Sequence, residues 1–406
     1  MPLARRYASH LMPPLLEAPI IIIGNGGSGS TLLDRVLNAH PDIEMQGEMK
    51  FLVADAWAAF QRGDANSTLR DLHRHFDADP NLEARIKSDP EQFRALLQRL
   101  EEDELRRKGR VLRQSISAWY RLDECERQFW GFKEITNYGL HDWACYDAVF
   151  PKASWVHIVR HPIEWLHSAA RLSKRTLSGS FNRIMLKSWV ATIKTSRQRA
   201  ATGRYYEVRY EDLQANAAHA LAPLLGGLGL AWHRECELPL YRQWGTAAQH
   251  QALRPRKIRK YVSSIVGLEQ LMSDYGYSAG GGASEPDKRR FRQSCLERLA
   301  DGGWKIVGPV LRDSGNCWEV DLSEPAIADE LAAIADDVGQ WERSPLRVFE
   351  CGKALGPAHE LHFRIRREGG GRYSHWQNKL LFSSTDNSSP NDNGRVYSFD
   401  LRGRPE

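Results

Sequence analysis

The chain lacks a long apolar segment, a closely spaced cysteine pair and any large surplus of charge, and each lack removes a class of protein. Near its start, Arg5 and Arg6 precede an apolar run that Pro13, Pro14, Glu17 and Pro19 interrupt. The best stretch there, Ile20 to Ile23, falls far short of the roughly 20 residues a membrane helix needs. No membrane span and no signal segment are therefore expected, and the cytoplasm is the expected place of work. The cysteines, Cys125, Cys145, Cys236, Cys295, Cys317 and Cys351, never adopt the C-x2-C spacing of a zinc site and are expected to be reduced and buried. Carboxylates and histidines do not cluster at metal-holding spacing, so no metal is expected. With 56 basic against 51 acidic residues, the net charge of +5 is too small for a general nucleic-acid coat, though it suits a local anion pocket.

What is present is the make-up of a packed protein, 42% hydrophobic and 26% charged with only 19 prolines in 406 residues. That length predicts one large domain plus a smaller module. Ile20 to Ile23 reads as a buried strand, Gly24 to Ser30 as a glycine-rich turn, and Thr31 to Asn38 as a helix with apolar residues at helical spacing. Further strands are expected at Ser154–Val159 and Tyr205–Tyr210, the latter leading into a helix that runs to about Leu228. Strands separated by helices predict an α/β fold with a mainly parallel sheet. A charged, helix-favouring stretch over about 54–127 reads as a helical insertion covering the cleft. The composition turns linker-like around 281–290, dividing a first domain (1–280) from a small β-rich module (291–406). Within that module, strands are expected at Trp304–Val307, Leu346–Phe349, Leu361–Ile365, Lys379–Phe382 and Arg395–Phe399.

A buried strand feeding a glycine turn and a helix offers backbone N–H groups and a helix dipole to a phosphate or a similar anion. Gly24 and Gly29 have the spacing of the P-loop, G-x-x-x-x-G-K-[ST], but Ser30 stands where that motif demands lysine. The sequence from Pro19 to Leu33 resembles the opening P-x-F-I-V-G-x-x-R-S-G-T-T-L-L of the PAPS-dependent sulfotransferases, PAPS being 3'-phosphoadenosine-5'-phosphosulfate. The stretch from Trp155 to Ser168 is similar to that family's R-x-P element for the 3'-phosphate, with Arg160 and Ser168 as its anchors. Asn38 to Pro41 with Gln46 to Glu48, Gly131 to Glu134, Phe150 to Ala153 and Val208 to Leu213 continue the resemblance in family order, over about residues 19–277. One departure stands out, because Gly27 occupies a position where the family commonly has lysine or arginine.

The resemblance implies a P-loop-type fold and an in-line transfer of a sulfuryl group from PAPS to a hydroxyl or amine of an acceptor, leaving adenosine 3',5'-bisphosphate (PAP). By that likeness Gly26, Gly27, Ser28, Gly29, Ser30 and Thr31 wrap the 5'-phosphosulfate, while Arg160 and Ser168 hold the 3'-phosphate. Glu48 takes the position of the general base and Lys133 that of the cation at the leaving oxygen. His40 and His141 are competing bases. Trp189 is a candidate for the adenine's neighbourhood, with a core aromatic as the alternative, and Arg254 to Tyr261 is either a basic element closing over the donor or a solvated turn. Asn, Asp and aromatic residues in the tail point to a carbohydrate acceptor, though ordinary β-turns use the same residues. Two other readings stay open: a P-loop kinase, which the missing lysine disfavours, and a catalytically weak glycan-binding protein on the same scaffold.

Overall fold

The computed structural model describes residues 14–49, 52–63, 90–120, 122, 125, 127–135, 143–173, 175, 177–241, 255–278, 296–308, 310–323 and 327–401. The middle of the expected insertion, the linker, His141, Arg254 and Cys295 lie outside these residues. The chain divides into two compact units. One comprises Met1–Ser30, Gln46–Tyr210 and Pro255–Ala279, and the other Thr31–Met45, Glu211–Arg254 and Gly280–Glu406.

Strands β1 (Ile20–Gly24), β2 (Ile43–Glu48), β3 (Phe129–Ile135), β4 (Ser154–Val159) and β5 (Tyr205–Arg209) form one sheet in the order β2-β3-β1-β4-β5. The pairs β1 with β3, β1 with β4 and β4 with β5 are parallel, as the alternation of strands and helices predicts. β1 lies at the centre, which is why it can be four isoleucines with no polar face: each is at most 1% exposed. Full burial contributes about 1.5–3 kcal/mol per such side chain. Ile21 and Ile23 share a core with Phe132, Trp155 and Tyr146.

A chain of polar contacts ties β4 to β5. His157 of β4 meets the hydroxyl of Tyr205 on β5 at 2.8 Å, and Tyr205 donates to Glu207 at 2.8 Å. Arg197 forks onto Glu207 at 2.9 and 3.2 Å, and Tyr275 donates to it at 2.9 Å. Burial pushes the Glu207 carboxyl up, but these donors more than offset it and hold the group well below the usual carboxylate range.

The expected insertion contains helices Leu52–Gly63 and Pro90–Tyr120 among the described residues. Leu112 and Ile116 of the longer helix join the core. Its backbone runs so close to helix Trp143–Val149 that a Cβ on Gly109 would lie 2.1 Å from the Ala148 carbonyl. One turn on, Arg113 donates to the carbonyls of Ala148 and Val149, satisfying acceptors that a helix C-terminus leaves open. Among the described residues no helix is long and apolar enough to cross a membrane.

The second unit carries two antiparallel sheets, β11-β10-β14-β7-β6 and β12-β13-β9-β8. Their strands are β6 (Leu296–Arg298), β7 (Trp304–Ile306), β8 (Leu311–Ser314), β9 (Cys317–Asp321), β10 (Arg347–Glu350), β11 (Lys353–Ala354), β12 (Tyr373–Trp376), β13 (Lys379–Phe382) and β14 (Tyr397–Asp400). Ile306, Val348 and Phe399 of one sheet share a core with Trp318, Val320 and Phe382 of the other.

Two expectations are corrected here. Leu361–Ile365 is not a strand but enters helix His362–Glu368. Only Ile365 is buried there, while Arg364 pairs one turn away in each direction with Glu360 and Glu368, a spacing that favours helix. Nor are all the cysteines buried: Cys351 is exposed, because Cys351 and Gly352 form the two-residue turn between β10 and β11 with φ of 49° and 79°.

Candidate active site

The C-terminal ends of β1, β4 and β5 bring the sequence-predicted anion-binding residues together. Gly24 has φ of 151°, and a Cβ there would meet the Ile158 carbonyl of β4 at 2.8 Å. The Ser28 N–H donates to the Asn25 carbonyl at 3.0 Å and closes the turn, while the Asn25 amide donates to Thr192 at 2.9 Å. Helix Ser30–Asn38 then begins, its first N–H groups lacking intrahelical partners. Ser28 and Ser30 are buried, and Thr31 is exposed. The hydroxyl oxygen of Ser28 is buried with no hydrogen-bond partner among the described residues.

β4 ends at Val159, and Pro162 at the start of the next helix supplies the preset backbone that such a position favours. His161 caps that helix by accepting the Ile163 N–H, and its other ring nitrogen lies 3.2 Å from the Ser278 carbonyl. Two residues three apart on the helix, and so on one face, reach the glycine turn. Trp165 donates to the Gly26 carbonyl at 2.9 Å. Ser168 Oγ stands 3.0 Å from where a Cβ of Gly27 would be, and Leu172 Cδ1 is 3.2 Å from the same point. With φ of 89° as well, a lysine or arginine at position 27, common in the resembling family, would be strained and would press on Ser168 and Leu172.

Arg160 follows β4, half-buried, with Nη1 3.4 Å from the Gly27 carbonyl and its guanidinium 4.4 Å above the Tyr210 ring. Tyr210 follows β5, and its ring also crowds Gly29, where a Cβ would fall 2.2 Å from Cδ2. Trp189 is 2% exposed; its indole N–H donates to the Arg160 carbonyl at 3.1 Å, and its ring meets Tyr275 edge-on. Glu48, exposed, ends β2 and follows Gly47 with φ of 74°. The next residue, Met49, donates its N–H to the Lys133 carbonyl at 3.2 Å, so Glu48 and Lys133 come from neighbouring chain segments. Both ring nitrogens of His40 are engaged, with the Ala231 carbonyl at 2.9 Å and the Asp42 N–H at 3.2 Å. Tyr261 is buried in helix Pro255–Ser264.

Sequence reasoning missed Trp165 and Tyr210. A signal for each was present: Trp165 precedes Ser168 by one helical turn, and Tyr210 stands at a strand's end as Arg160 does. Among the described residues no group of three or more His, Cys, Asp or Glu could hold a metal ion.

No curated protein matches the chain significantly. Among solved structures, the sulfotransferase domain of the Synechococcus PCC 7002 olefin synthase is 20% identical with a TM-score of 0.38, over 64% of this chain and 95% of that one. A sulfotransferase from Alicyclobacillus acidocaldarius is 14% identical with a TM-score of 0.36, over 64% and 96%. A mouse sulfotransferase complexed with PAP is 12% identical with a TM-score of 0.35, over 64% and 82%. A model of the sulfotransferase family matches residues 19–234, more than half of the sequence, and the chain belongs to that family of enzymes.

Proposed function

We propose that the protein transfers a sulfuryl group from PAPS to a hydroxyl of a carbohydrate. The observation that carries the donor assignment is the convergence of Arg160 and Ser168 on Gly27, beside a buried Ser28 hydroxyl. A buried hydroxyl without a partner is costly, and an anion's oxygen at the turn would satisfy it. The residues fit the group: the turn's N–H groups, Ser28, Ser30 and Thr31 would hold the 5'-phosphosulfate, and Arg160 with Ser168 the 3'-phosphate. Trp189 supports this by fixing the Arg160 backbone. The donor supplies an activated sulfur, whose bond to the 5'-phosphate oxygen breaks as the acceptor oxygen bonds to it. Glu48 takes the acceptor's proton, and Lys133 holds the negative charge left on the phosphate oxygen. With Gly27 in place of a cation, Lys133 carries more of that charge. The acceptor class is read from the C-terminal unit, where the largely exposed Trp341 lies 5.6 Å from Trp376 and offers a ring face of the kind that stacks on sugars.

Thermal shift with PAP against ATP and Mg²⁺ tests the donor. Stabilisation by PAP is expected, about 2.7 kcal/mol at a hundredfold excess over Kd. Stabilisation by ATP and Mg²⁺ alone would reassign the turn to a kinase. Transfer of labelled sulfate from PAPS, screened over polysaccharides, phenols and peptides, tests the acceptor, and label found only on phenols or peptides removes the carbohydrate reading.

A further inference from the structure

The helix that starts at the last residue of the glycine turn is fastened further along by chain 278 residues away. Arg35 Nη1 donates to Asp313 Oδ1 at 2.9 Å, and its Nη2 lies 3.7 Å from Glu319 Oε2. Asn38, one turn on, donates to the Asp313 carbonyl at 2.6 Å and accepts the Met45 N–H at 2.9 Å. Glu44, at the start of β2, accepts from the Ser314 hydroxyl and the Gly315 N–H, each at 3.1 Å. Asp313, Glu319, Asn38 and Glu44 are all buried. On its far side Asp313 is held by Arg366 at 2.6 Å, and Glu319 by Lys379 at 3.2 Å. The β8–β9 hairpin thus grips both the helix and the segment that leads to Glu48.

The helix's apolar residues, Leu32, Leu33, Val36 and Leu37, attach it without fixing its rotation, because apolar contact is non-directional. A forked guanidinium and a carboxamide do fix rotation and axial position. We propose that the β8–β9 hairpin is a positioning element for the helix that follows the glycine turn, with Asp313 acting through Arg35 and Asn38 to set where the helix presents Thr31. This inference rests on the donor assignment above.

The test is calorimetric titration of PAP into full-length variants, alongside thermal melts. Arg35→Met removes the guanidinium fork on Asp313 and Glu319 but leaves Asp313 paired with Arg366. Arg395→Met breaks pairs with Glu350 and Asp386, elsewhere in the same unit, and serves as the control for general loosening. Arg35→Met is expected to raise the PAP Kd about tenfold, since sub-ångström misplacement weakens oriented contacts, with the acceptor KM within about twofold. Arg35→Lys keeps the charge but not the fork; it is expected to fold and to give an intermediate Kd, so the comparison survives a poorly folding Arg35→Met. Arg395→Met is expected to lower Tm and leave Kd unchanged. A Kd that stays at the wild-type value in both Arg35 variants, with Tm falling as in the control, overturns the proposal. A wild-type protein that binds no PAP removes the donor assignment and this inference with it.

Discussion

Three glycines with left-handed backbones differ in what surrounds them, and together they calibrate how tightly the glycine turn is built. Gly47 has φ of 74° and nothing within 4 Å of an added Cβ. Gly27 has φ of 89° and would meet the Ser168 hydroxyl at 3.0 Å, while Gly29 has φ of 102° and would meet the Tyr210 ring at 2.2 Å. Alanine at 47 therefore carries backbone strain alone, about 1 kcal/mol. At 27 a side-chain rotation can relieve the contact, and about 1–2 kcal/mol is expected. At 29 the ring must move or the turn must open, adding about 1–3 kcal/mol of overpacking to the strain. Moving that ring also disturbs the support beneath Arg160. Thermal and urea melts should rank the losses Gly29→Ala, Gly27→Ala, Gly47→Ala, and PAP affinity should fall most at 29 and stay unchanged at 47. If alanine at 47 costs as much stability as at 29, steric crowding by Tyr210 is not what demands glycine there.

Four further outcomes are expected. Glu48→Gln should cut turnover by about 10²–10⁴-fold while PAP binding persists; undiminished turnover passes the base role to another group. Arg160→Lys should weaken PAP binding about tenfold by losing the fork, and an unchanged titration isotherm would remove Arg160 from the donor site. Gly109→Ala should lose about 1–3 kcal/mol although alanine favours helix, because its Cβ meets a backbone carbonyl that cannot rotate away; a higher Tm contradicts the packing. Burial and the neighbouring Asp392 push the Glu235 carboxyl up to about 7. The folded state thus holds that proton more tightly than the unfolded chain, so the contribution is present below about pH 4.5 and is lost as pH rises through about 7. Glu235→Gln should raise Tm at pH 8 and have little effect at pH 5, and an equal effect at both would refute this assignment.

Local pattern made β1 and β4 legible, since a continuous β-branched or apolar run bounded by glycine or proline has few other fates. β2 escaped because Ile43–Glu48 is mostly polar and becomes a strand only through its neighbours in the sheet. Leu361–Ile365 misled because a short apolar run is ambiguous until its ion pairs are known. The same division runs through the candidate site. Gly27, Arg160 and Ser168 stood out by motif, yet the crowding that favours glycine at 27 comes from Ser168 and Leu172, which only folding brings beside it. Tyr210 and Asp313 act through partners far off in the chain, where no spacing rule reaches.

The Arg35–Asp313 pair also bears on how the protein is made. A ribosome delivering 5–20 residues per second releases Asp313 roughly 14–56 s after Arg35, given the 278 positions between them. For that interval the nascent helix after the glycine turn has no carboxylate from the β8–β9 hairpin to pair with, so its final seating is a late event in biosynthesis.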